Sequence, residues 1–228
     1  MARSKRFNKI SKTKIRDKKL SFKNAIELVK INSNCKFDES IDLNLRINLK
    51  QSKGGDFNLR TVFKLPNGNG NKIKVAVLCE TDKLKEAKES GADLVGSDDL
   101  VEIISSGKIS FQKLVCTPSM MSKIGKLGKI LGPKGLMPNP KLGTVSNDIK
   151  KSVKDLKSGL IEVKNDKDGN VGISIGKKSF SSEKLNENFI FFIENLKKEK
   201  PESMKGEFIK NIFLTSTMGV SFKLGSKN

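Results

Sequence analysis

The segment from 123 to 145, KIGKLGKILGPKGLMPNPKLGTV, constrains the fold of this chain more than any other stretch. It contains five Lys, five Gly and three Pro, and it has no acidic residue. Proline interrupts helices, and glycine lets the main chain bring its N–H groups close to a ligand. Apolar residues recur between these positions, so the segment has side chains to pack. We therefore predict an ordered loop, called the lysine segment below.

Two interpretations of the lysine segment fit its composition. Exposed backbone N–H groups with lysines nearby favour an anionic partner such as phosphate, whereas the alternative is a rigid crossover loop solvated by its lysines. Neither G-x-x-x-x-G-K-[ST] nor G-x-G-x-x-G occurs in the segment, so spacing does not decide between them. The candidate cations of this secondary basic loop are Lys126, Lys129, Lys134 and Lys141.

The charge of the chain favours a polyanionic partner. Its 228 residues include 45 Lys plus Arg and 25 Asp plus Glu, which gives a net charge of +20. Nucleic acid is the first candidate, because basic side chains that neutralise phosphates release counterions. The basic residues do not form one amphipathic helix, so a membrane surface is disfavoured. The sequence has no 18-residue apolar run and no signal-type segment, and its three cysteines are far apart, which predicts a cytoplasmic protein with free thiols.

The first 66 residues read as half of a sheet-containing domain. Residues 1–30 carry eleven basic side chains, and the first twenty residues are either a solvated tail or an arm that orders on RNA. Ser21 is a predicted N-cap for a helix that ends near Asn32, and strict alternation from 41 to 50 predicts a half-buried strand. A turn at 53–56 and a second strand at 59–65 follow.

The middle of the chain has a different pattern. After the connection at 66–72, a continuous apolar run at 73–79 predicts a strand of a parallel sheet. Helices through 84–91, 98–106 and 147–157 alternate with strands at 93–96 and 111–116. This alternation predicts a small Rossmann-like α/β domain at 67–158.

The C-terminal part returns to the first pattern. Strands are predicted at 160–164, 171–175, 208–214 and 220–224, with a helix at 185–196. We therefore expect one α+β domain built from 1–66 and 159–228, into which the α/β domain is inserted. Residues 66–159 hold 16 basic and 10 acidic side chains, or +6, which leaves +14 for the split domain. Twelve of thirteen Phe also lie in the split domain, so we place the main RNA surface there.

Five motifs in order along the chain resemble one family. The run GPKGLMPNPKLGTV is similar to the signature of the large-subunit ribosomal protein L-one family of bacteria, the protein of the mobile rRNA stalk beside the tRNA exit site. The further matches are KFDES at 36–40, KNDKDG at 164–169, IGKKSF at 175–180 and TSTMG at 215–219. Two positions depart from the family pattern: Asn67 and Gly172 stand where histidines are usual, and the chain has no His.

The resemblance implies a set of RNA-contacting residues. The matching positions are Lys36, Phe37, Ser40, Thr217, Met218 and Gly219, followed by Glu27, Lys164 and Lys167. From the residues alone, Phe37 is either a core residue or a ring that stacks on RNA, and TSTMG is either an ordinary turn or a set of short hydroxyls that contact 2′-OH groups. The departure at Gly172 weakens the expectation of an RNA contact near that position.

The residue inventory disfavours an enzyme. The chain lacks His and Tyr, and no Ser or Cys lies in a nucleophile motif. Asp98 and Asp99 either hold a divalent metal, as in a nuclease, or cap a helix and favour its dipole. A nonspecific cationic RNA chaperone is the other alternative.

We expect a monomeric, ribosome-bound, non-catalytic protein that needs no cofactor or metal. The resemblance implies four partners or roles: it binds the rRNA stalk, assists release of exit-site tRNA, assembles with the ribosome and represses its own mRNA through a leader.

Overall fold

The computed structural model describes residues 4–13, 19–48, 59–201 and 206–225. The chain divides into two compact units. Unit 1 comprises Met1–Gly70 and Ile161–Asn228, and unit 2 comprises Asn71–Leu160. The net charges of units 1 and 2 are +14 and +6, the same as those of the predicted domains. The residues that lie in a different unit than predicted are uncharged.

Helices and strands are interspersed along the chain. The helices are α1 Lys5–Ser11, α2 Phe22–Asn32, α3 Leu84–Glu89, α4 Asp98–Ser105, α5 Met121–Lys126, α6 Gly128–Leu131, α7 Ile149–Lys157 and α8 Ser182–Lys198. The strands are β1 Ser40–Ile47, β2 Arg60–Lys64, β3 Val75–Leu78, β4 Leu94–Gly96, β5 Lys113–Cys116, β6 Leu160–Lys164, β7 Asn170–Lys177, β8 Ile209–Ser216 and β9 Phe222–Leu224. Each lies within a few residues of its predicted position, apart from α1, α5 and α6.

Unit 1 is built on an antiparallel sheet of four strands in the order β7-β1-β8-β9. The alternation predicted for β1 is confirmed, since Ile41, Leu43, Leu45 and Ile47 are buried. Their face packs with α2 and α8 in one core, and the other face carries polar side chains. Strands β2 and β6 form a separate pair.

Two caps and one buried amide organise the helices of unit 1. Ser21 accepts a hydrogen bond from the Asn24 N–H at the start of α2, as predicted, and Ser181 caps α8 in the same way. Asn188, which is fully buried on α8, donates to the carbonyl oxygens of Gly68 (2.9 Å) and Ile175 (2.8 Å). It thereby fixes the connection that leaves β2.

Unit 2 contains a parallel sheet of three strands in the order β4-β3-β5. All four residues of β3 are buried, as the apolar run predicted. Helices α3 and α7 pack with one face of the sheet, and α4, α5 and α6 pack with the other. The mixed fold class predicted from the sequence, α+β with a Rossmann-like α/β part, is therefore confirmed.

The lysine segment differs from the predicted loop. Its first part is helical, because α5 and α6 cover most of 121–131. Burial of Ile124, Leu127 and Leu131 at helical spacing offsets the cost of glycine in a helix. The remainder, from Gly132 onward, is a loop with a short 3-10 turn at Pro140–Leu142.

The first turn of α4 differs from its prediction. Asp98 and Asp99 do not cap α4, because Ser97 occupies the N-cap position and the two acids lie in the first turn.

The predicted turn at 53–56 and the end of the first predicted strand lie outside the described residues. Among the helices that the structure describes, none is long and apolar enough to cross a membrane.

Candidate nucleic-acid interface

The start of β1 and the end of β8 meet at one edge of the unit 1 sheet. The Thr217 N–H donates to the Ser40 carbonyl oxygen (3.1 Å), and the Ser40 N–H donates to Thr217 Oγ1 (3.0 Å). These bonds place residues 33–40 beside residues 216–219, and we call the two loops together the paired-loop site. Six of the residues implied by the family resemblance lie in it: Lys36, Phe37, Ser40, Thr217, Met218 and Gly219.

Two large apolar side chains of the paired-loop site face solvent. Phe37 is 52% exposed and Met218 is 49% exposed. The alternative that Phe37 belongs to the core is therefore wrong. Proteins that bind single-stranded RNA stack its bases on exposed aromatic rings and contact its phosphates with basic side chains. Phe37 beside the exposed Lys36 provides both groups.

A buried carboxylate lies beneath the site. Glu39 is completely buried, and it accepts hydrogen bonds from the Cys35 N–H (Oε1, 3.1 Å) and the Met218 N–H (Oε2, 3.2 Å). Burial raises the pKa of Glu39, but hydrogen bonds from the Cys35 amide, the Ser216 hydroxyl, the Met218 amide and the Cys35 thiol together outweigh burial, so its pKa lies below the ordinary value. The ionised carboxylate therefore joins one loop of the site to the other.

The end of β7 supports the first loop from the other side. The Lys178 N–H donates to the Glu39 carbonyl oxygen (2.8 Å), and Lys178 Nζ donates to the Ser33 carbonyl oxygen. Ser179 donates to Asp38 through both its N–H (3.1 Å) and its hydroxyl (2.7 Å). The IGKKSF motif thus serves as a scaffold for residues 33–40.

Gly219 makes a close approach within the second loop. A Cβ atom added there would lie 2.4 Å from Ser216 Oγ, which is far inside contact distance. The Gly219 N–H also donates to the Ser216 carbonyl oxygen (3.2 Å). A side chain at this position would therefore displace the Ser216 hydroxyl from its present place.

A side chain from α1 reaches the same place. Arg6 donates from Nη2 to the Met218 carbonyl oxygen (2.9 Å) and from Nη1 to Asn34 Oδ1 (3.3 Å). Helix α1 was not predicted, because the basic arm lacks a strong periodic pattern. Its only fully buried side chain is Ile10.

The other three implied residues lie elsewhere in unit 1. Glu27 is exposed on α2, and Lys164 and Lys167 are exposed at the β6 end and in the turn before β7. That turn is at the opposite end of β7 from Lys177, which donates to Ser40 Oγ (2.8 Å), so roughly 20 Å of strand separates the two places. The structure therefore separates Lys164 and Lys167 from the paired-loop site, whereas Glu27 lies on the helix that leads into residues 33–40.

A polar strip on the open face of the sheet connects the two places. It comprises Asp42, Asn44, Arg46, Asn170, Gly172, Ser174, Asn211, Phe213 and Thr215, none of which is fully buried. Gly172 pairs with Asn44 in the register of β1 and β7. A ligand longer than one loop could therefore follow the sheet from Ser40 to the turn at 165–169.

The lysines of the secondary basic loop are held differently. Lys126, Lys129, Lys134 and Lys141 are all exposed, and none forms an ion pair with a described residue. Lys123, at the start of the lysine segment, instead pairs with Asp98 (2.5 Å). The segment therefore offers exposed point charges that no described acidic side chain holds in place.

Groups suited to catalysis are scarce in the described part of the chain. Cys35, Cys79 and Cys116 are free thiols, as predicted, and burial raises the pKa of each, that of Cys116 to about 11. A raised pKa makes a cysteine a poor nucleophile. No cluster of three metal-ligating side chains occurs among the described residues, and Asp98 is engaged by Lys123.

Sequence reasoning missed Glu39 and Arg6. The sequence did contain a signal for Glu39. It lies two residues before Ile41 and four before Leu43, so in an extended chain its side chain faces the core as theirs do. No comparable signal marked Arg6, since its partners are 28 and 212 positions away.

A strongly basic unit that carries a hydrogen-bonded surface site with exposed apolar and basic side chains has the features of a protein that binds a partner through this surface. Comparison with known proteins agrees. Residues 28–220 match the family described as the ribosomal protein L1p/L10e family. The chain belongs to this family, whose members are structural, non-enzymatic ribosomal proteins.

Individual relatives cover nearly all of the chain. The protein named large ribosomal subunit protein uL1 from Pelagibacter ubique (strain HTCC1062) is 57% identical over 202 residues, 88% of each chain. The uL1 of Kosmotoga olearia is 46% identical over 222 residues, 97% of this chain and 96% of its own length. The uL1 of Thermosipho melanesiensis is 44% identical over 222 residues, 97% of this chain and 95% of its own.

Proposed function

We propose that this protein is a constituent of the large ribosomal subunit and binds the stalk region of its rRNA through the paired-loop site. One observation carries the proposal: Phe37 and Met218 are exposed on two loops that hydrogen bonds hold together, in a unit of charge +14. The relatives named large ribosomal subunit protein uL1 support the ribosomal assignment.

Each residue of the site has a role that its chemistry allows. The Phe37 ring stacks on a base or ribose, Met218 fits an apolar part of the RNA, and Lys36 contacts phosphate. Ser40 and Thr217 offer their remaining hydroxyl lone pairs to 2′-OH groups, and Gly219 allows the RNA backbone to approach. Binding at these positions reads the shape of the RNA.

Residues farther along the sheet extend this contact. Lys164 and Lys167 bind phosphates at the other end of the polar strip, and Glu27 accepts a hydrogen bond from a base amino group or a 2′-OH. The lysines of the secondary basic loop supply charge that is insensitive to sequence. Their natural target is phosphate of the stalk or of a neighbouring exit-site tRNA.

Two regulatory roles follow from the same site. When bound to the stalk, this protein assists release of deacylated tRNA from the exit site during translation. A leader in its own mRNA that has the shape of the rRNA site competes for the same loops, and binding there represses translation. A reporter carrying the leader, with and without the protein, tests the second role.

A nonspecific RNA chaperone is the second candidate, because the net charge of +20 would suffice for it. Competition separates the two. We expect a stalk-region fragment of large-subunit rRNA to displace bound bulk tRNA at equal nucleotide concentration and in moderate salt. Equal competition by the two RNAs would contradict specific recognition and would support the chaperone.

A further inference from the structure

Two charged side chains connect the same pair of chain segments from opposite sides. Glu39, which is buried, accepts from the N–H groups of Cys35 and Met218. Arg6, at the surface, donates to the Asn34 side chain and to the Met218 carbonyl oxygen. Both polar groups of residue 218, its N–H and its C=O, are therefore held by a charged partner.

These contacts are stronger than ordinary loop hydrogen bonds. Bonds to an ionised group contribute more than neutral ones, and here each charged group bonds to both loops at once. The partners of Glu39 in the second loop and of Arg6 are 179 and 212 positions away in sequence, so no local turn would hold them together. Without the two charges, the hydrogen bonds that still join one loop to the other among the described residues are those between Ser40 and Thr217.

We infer that Glu39 and Arg6 are positioning residues that fix Phe37 and Met218 in the geometry that RNA recognises. The inference rests on the proposed function and adds to it. A site that is ordered before binding loses less conformational freedom when the RNA arrives, and this gain appears as affinity for the matching shape. Arg6 therefore acts in specificity, although its charge alone would suggest a phosphate contact.

Helix α1 supplies a charge-matched control. Lys9 lies on the same helix and is exposed, and its side chain makes no hydrogen bond or ion pair with a described residue. A phosphate-binding residue and a positioning residue respond differently to removal of their charge. Removing a phosphate-binding residue weakens all RNAs equally and lowers the salt slope by about one, whereas removing a positioning residue weakens only the matching RNA.

The experiment compares Arg6→Gln with Lys9→Gln in the full chain, by salt titration against a stalk-region rRNA fragment and a random RNA of the same length. For Arg6→Gln we expect about tenfold weaker binding to the stalk fragment, random-RNA binding within about twofold and an unchanged salt slope. For Lys9→Gln we expect equal weakening for both RNAs. Arg6→Lys keeps the charge without the two-pronged geometry, so it should behave as Arg6→Gln does.

A second measurement needs no RNA. In the free protein, the Met218 amide should exchange its hydrogen faster in Arg6→Gln and in Glu39→Gln than in the wild type, with Lys9→Gln as the control. Arg6 lies at the surface, so its variant keeps the result interpretable if Glu39→Gln does not fold. Unchanged Met218 exchange in Arg6→Gln would overturn the inference.

The two possible failures are distinguishable. If the wild-type chain does not prefer the stalk fragment to random RNA, the proposed function fails. If the wild type prefers it and Arg6→Gln loses affinity equally for both RNAs, with a salt slope lower by about one, Arg6 binds phosphate and the inference is wrong.

Discussion

The paired-loop site of unit 1 and the lysine segment of unit 2 hold their polar groups in opposite ways. In the paired-loop site, backbone and side chains are joined by several hydrogen bonds, and the exposed groups are mainly apolar or uncharged. In the lysine segment, four of the five lysines, Lys126, Lys129, Lys134 and Lys141, are exposed and have no ion-pair partner among the described residues. Both segments match family motifs and both have a hydrogen-bonded backbone, so the difference lies in their exposed side chains.

This difference separates shape from charge as sources of RNA affinity. Fixed loops can discriminate between RNAs, because a mismatched ligand leaves buried polar groups unpaired. Exposed lysines without ion-pair partners attract any polyanion and discriminate little between RNA sequences. The predictions below test whether the chain divides the two functions in this way.

The largest effect is expected from Thr217→Val combined with Met218→Ala. We expect binding to the stalk fragment to weaken by about 1–3 kcal/mol, comparable to removal of a specific base interaction, with little change for random RNA. The Thr217 hydroxyl also accepts from Ser40, so part of the effect reflects loosened loops. Parallel salt titrations of both RNAs measure the two affinities.

Thr217→Ser is the matched control, because it keeps the hydroxyl and removes a methyl group. It should retain most of the affinity for the stalk fragment. Equal weakening on both RNAs for the double variant would mean that the turn is structural and that recognition lies elsewhere.

Two glycines sharpen the comparison through stability. Gly219→Ala should destabilise unit 1 by about 0.5–1.5 kcal/mol, because the new Cβ would force the buried Ser216 hydroxyl out of its present rotamer. Gly125→Ala in α5 meets open space and should stabilise its helix by about 0.5–1 kcal/mol. Denaturant unfolding of the two variants gives both values, and a Gly219→Ala protein as stable as the wild type would contradict a cost for displacing the Ser216 hydroxyl.

The lysine segment should contribute charge alone. Replacing Lys126, Lys129 and Lys134 with Gln should weaken both RNAs only a few-fold and lower the salt slope by at most about three, since each lysine neutralises no more than about one phosphate. A triple-Gln change at Lys5, Lys9 and Lys12 serves as a comparison, because it removes the same charge from unit 1. Complete loss of stalk preference in the first variant would place recognition in unit 2.

The smallest effect concerns acid stability. The folded-state pKa of Glu39 lies below the ordinary 4.5, so its carboxylate stabilises unit 1 above about pH 4.5, and this contribution is lost as the pH falls through the lowered pKa. The difference in Tm between the wild type and Glu39→Gln should therefore be largest near neutral pH and shrink below about pH 4.5. A constant difference from about pH 7 to about pH 3 would show that the Glu39 charge is not involved.

Local patterns in the sequence predict most of the fold. Alternation at Ile41, Leu43 and Leu45 reports directly on which face is buried, and the Ser21 cap marks a helix start. The lysine segment was predicted as a loop because glycine and proline disfavour helices. Tertiary burial of Ile124 and Leu131 overrides that preference, and such burial cannot be derived from propensity.

The candidate site was less predictable, because its contacts join distant parts of the chain. Motif resemblance supplied Phe37 and Met218, but it did not show that Phe37 is exposed. The double connection through Glu39 and Arg6 depends on the docking of α1 beside residue 218, which no spacing rule gives.

The central claim is that the paired-loop site of unit 1 carries RNA specificity without the lysine segment. Residues 1–70, joined to 159–228 by a short glycine-serine linker, test it directly, and circular dichroism with cooperative unfolding verifies the fold. Residues 67–70 are kept because Asn188 bonds to Gly68. We predict that the shortened chain prefers the stalk fragment over random RNA by nearly the same ratio as the full chain. A folded shortened chain that binds both RNAs equally would contradict the claim.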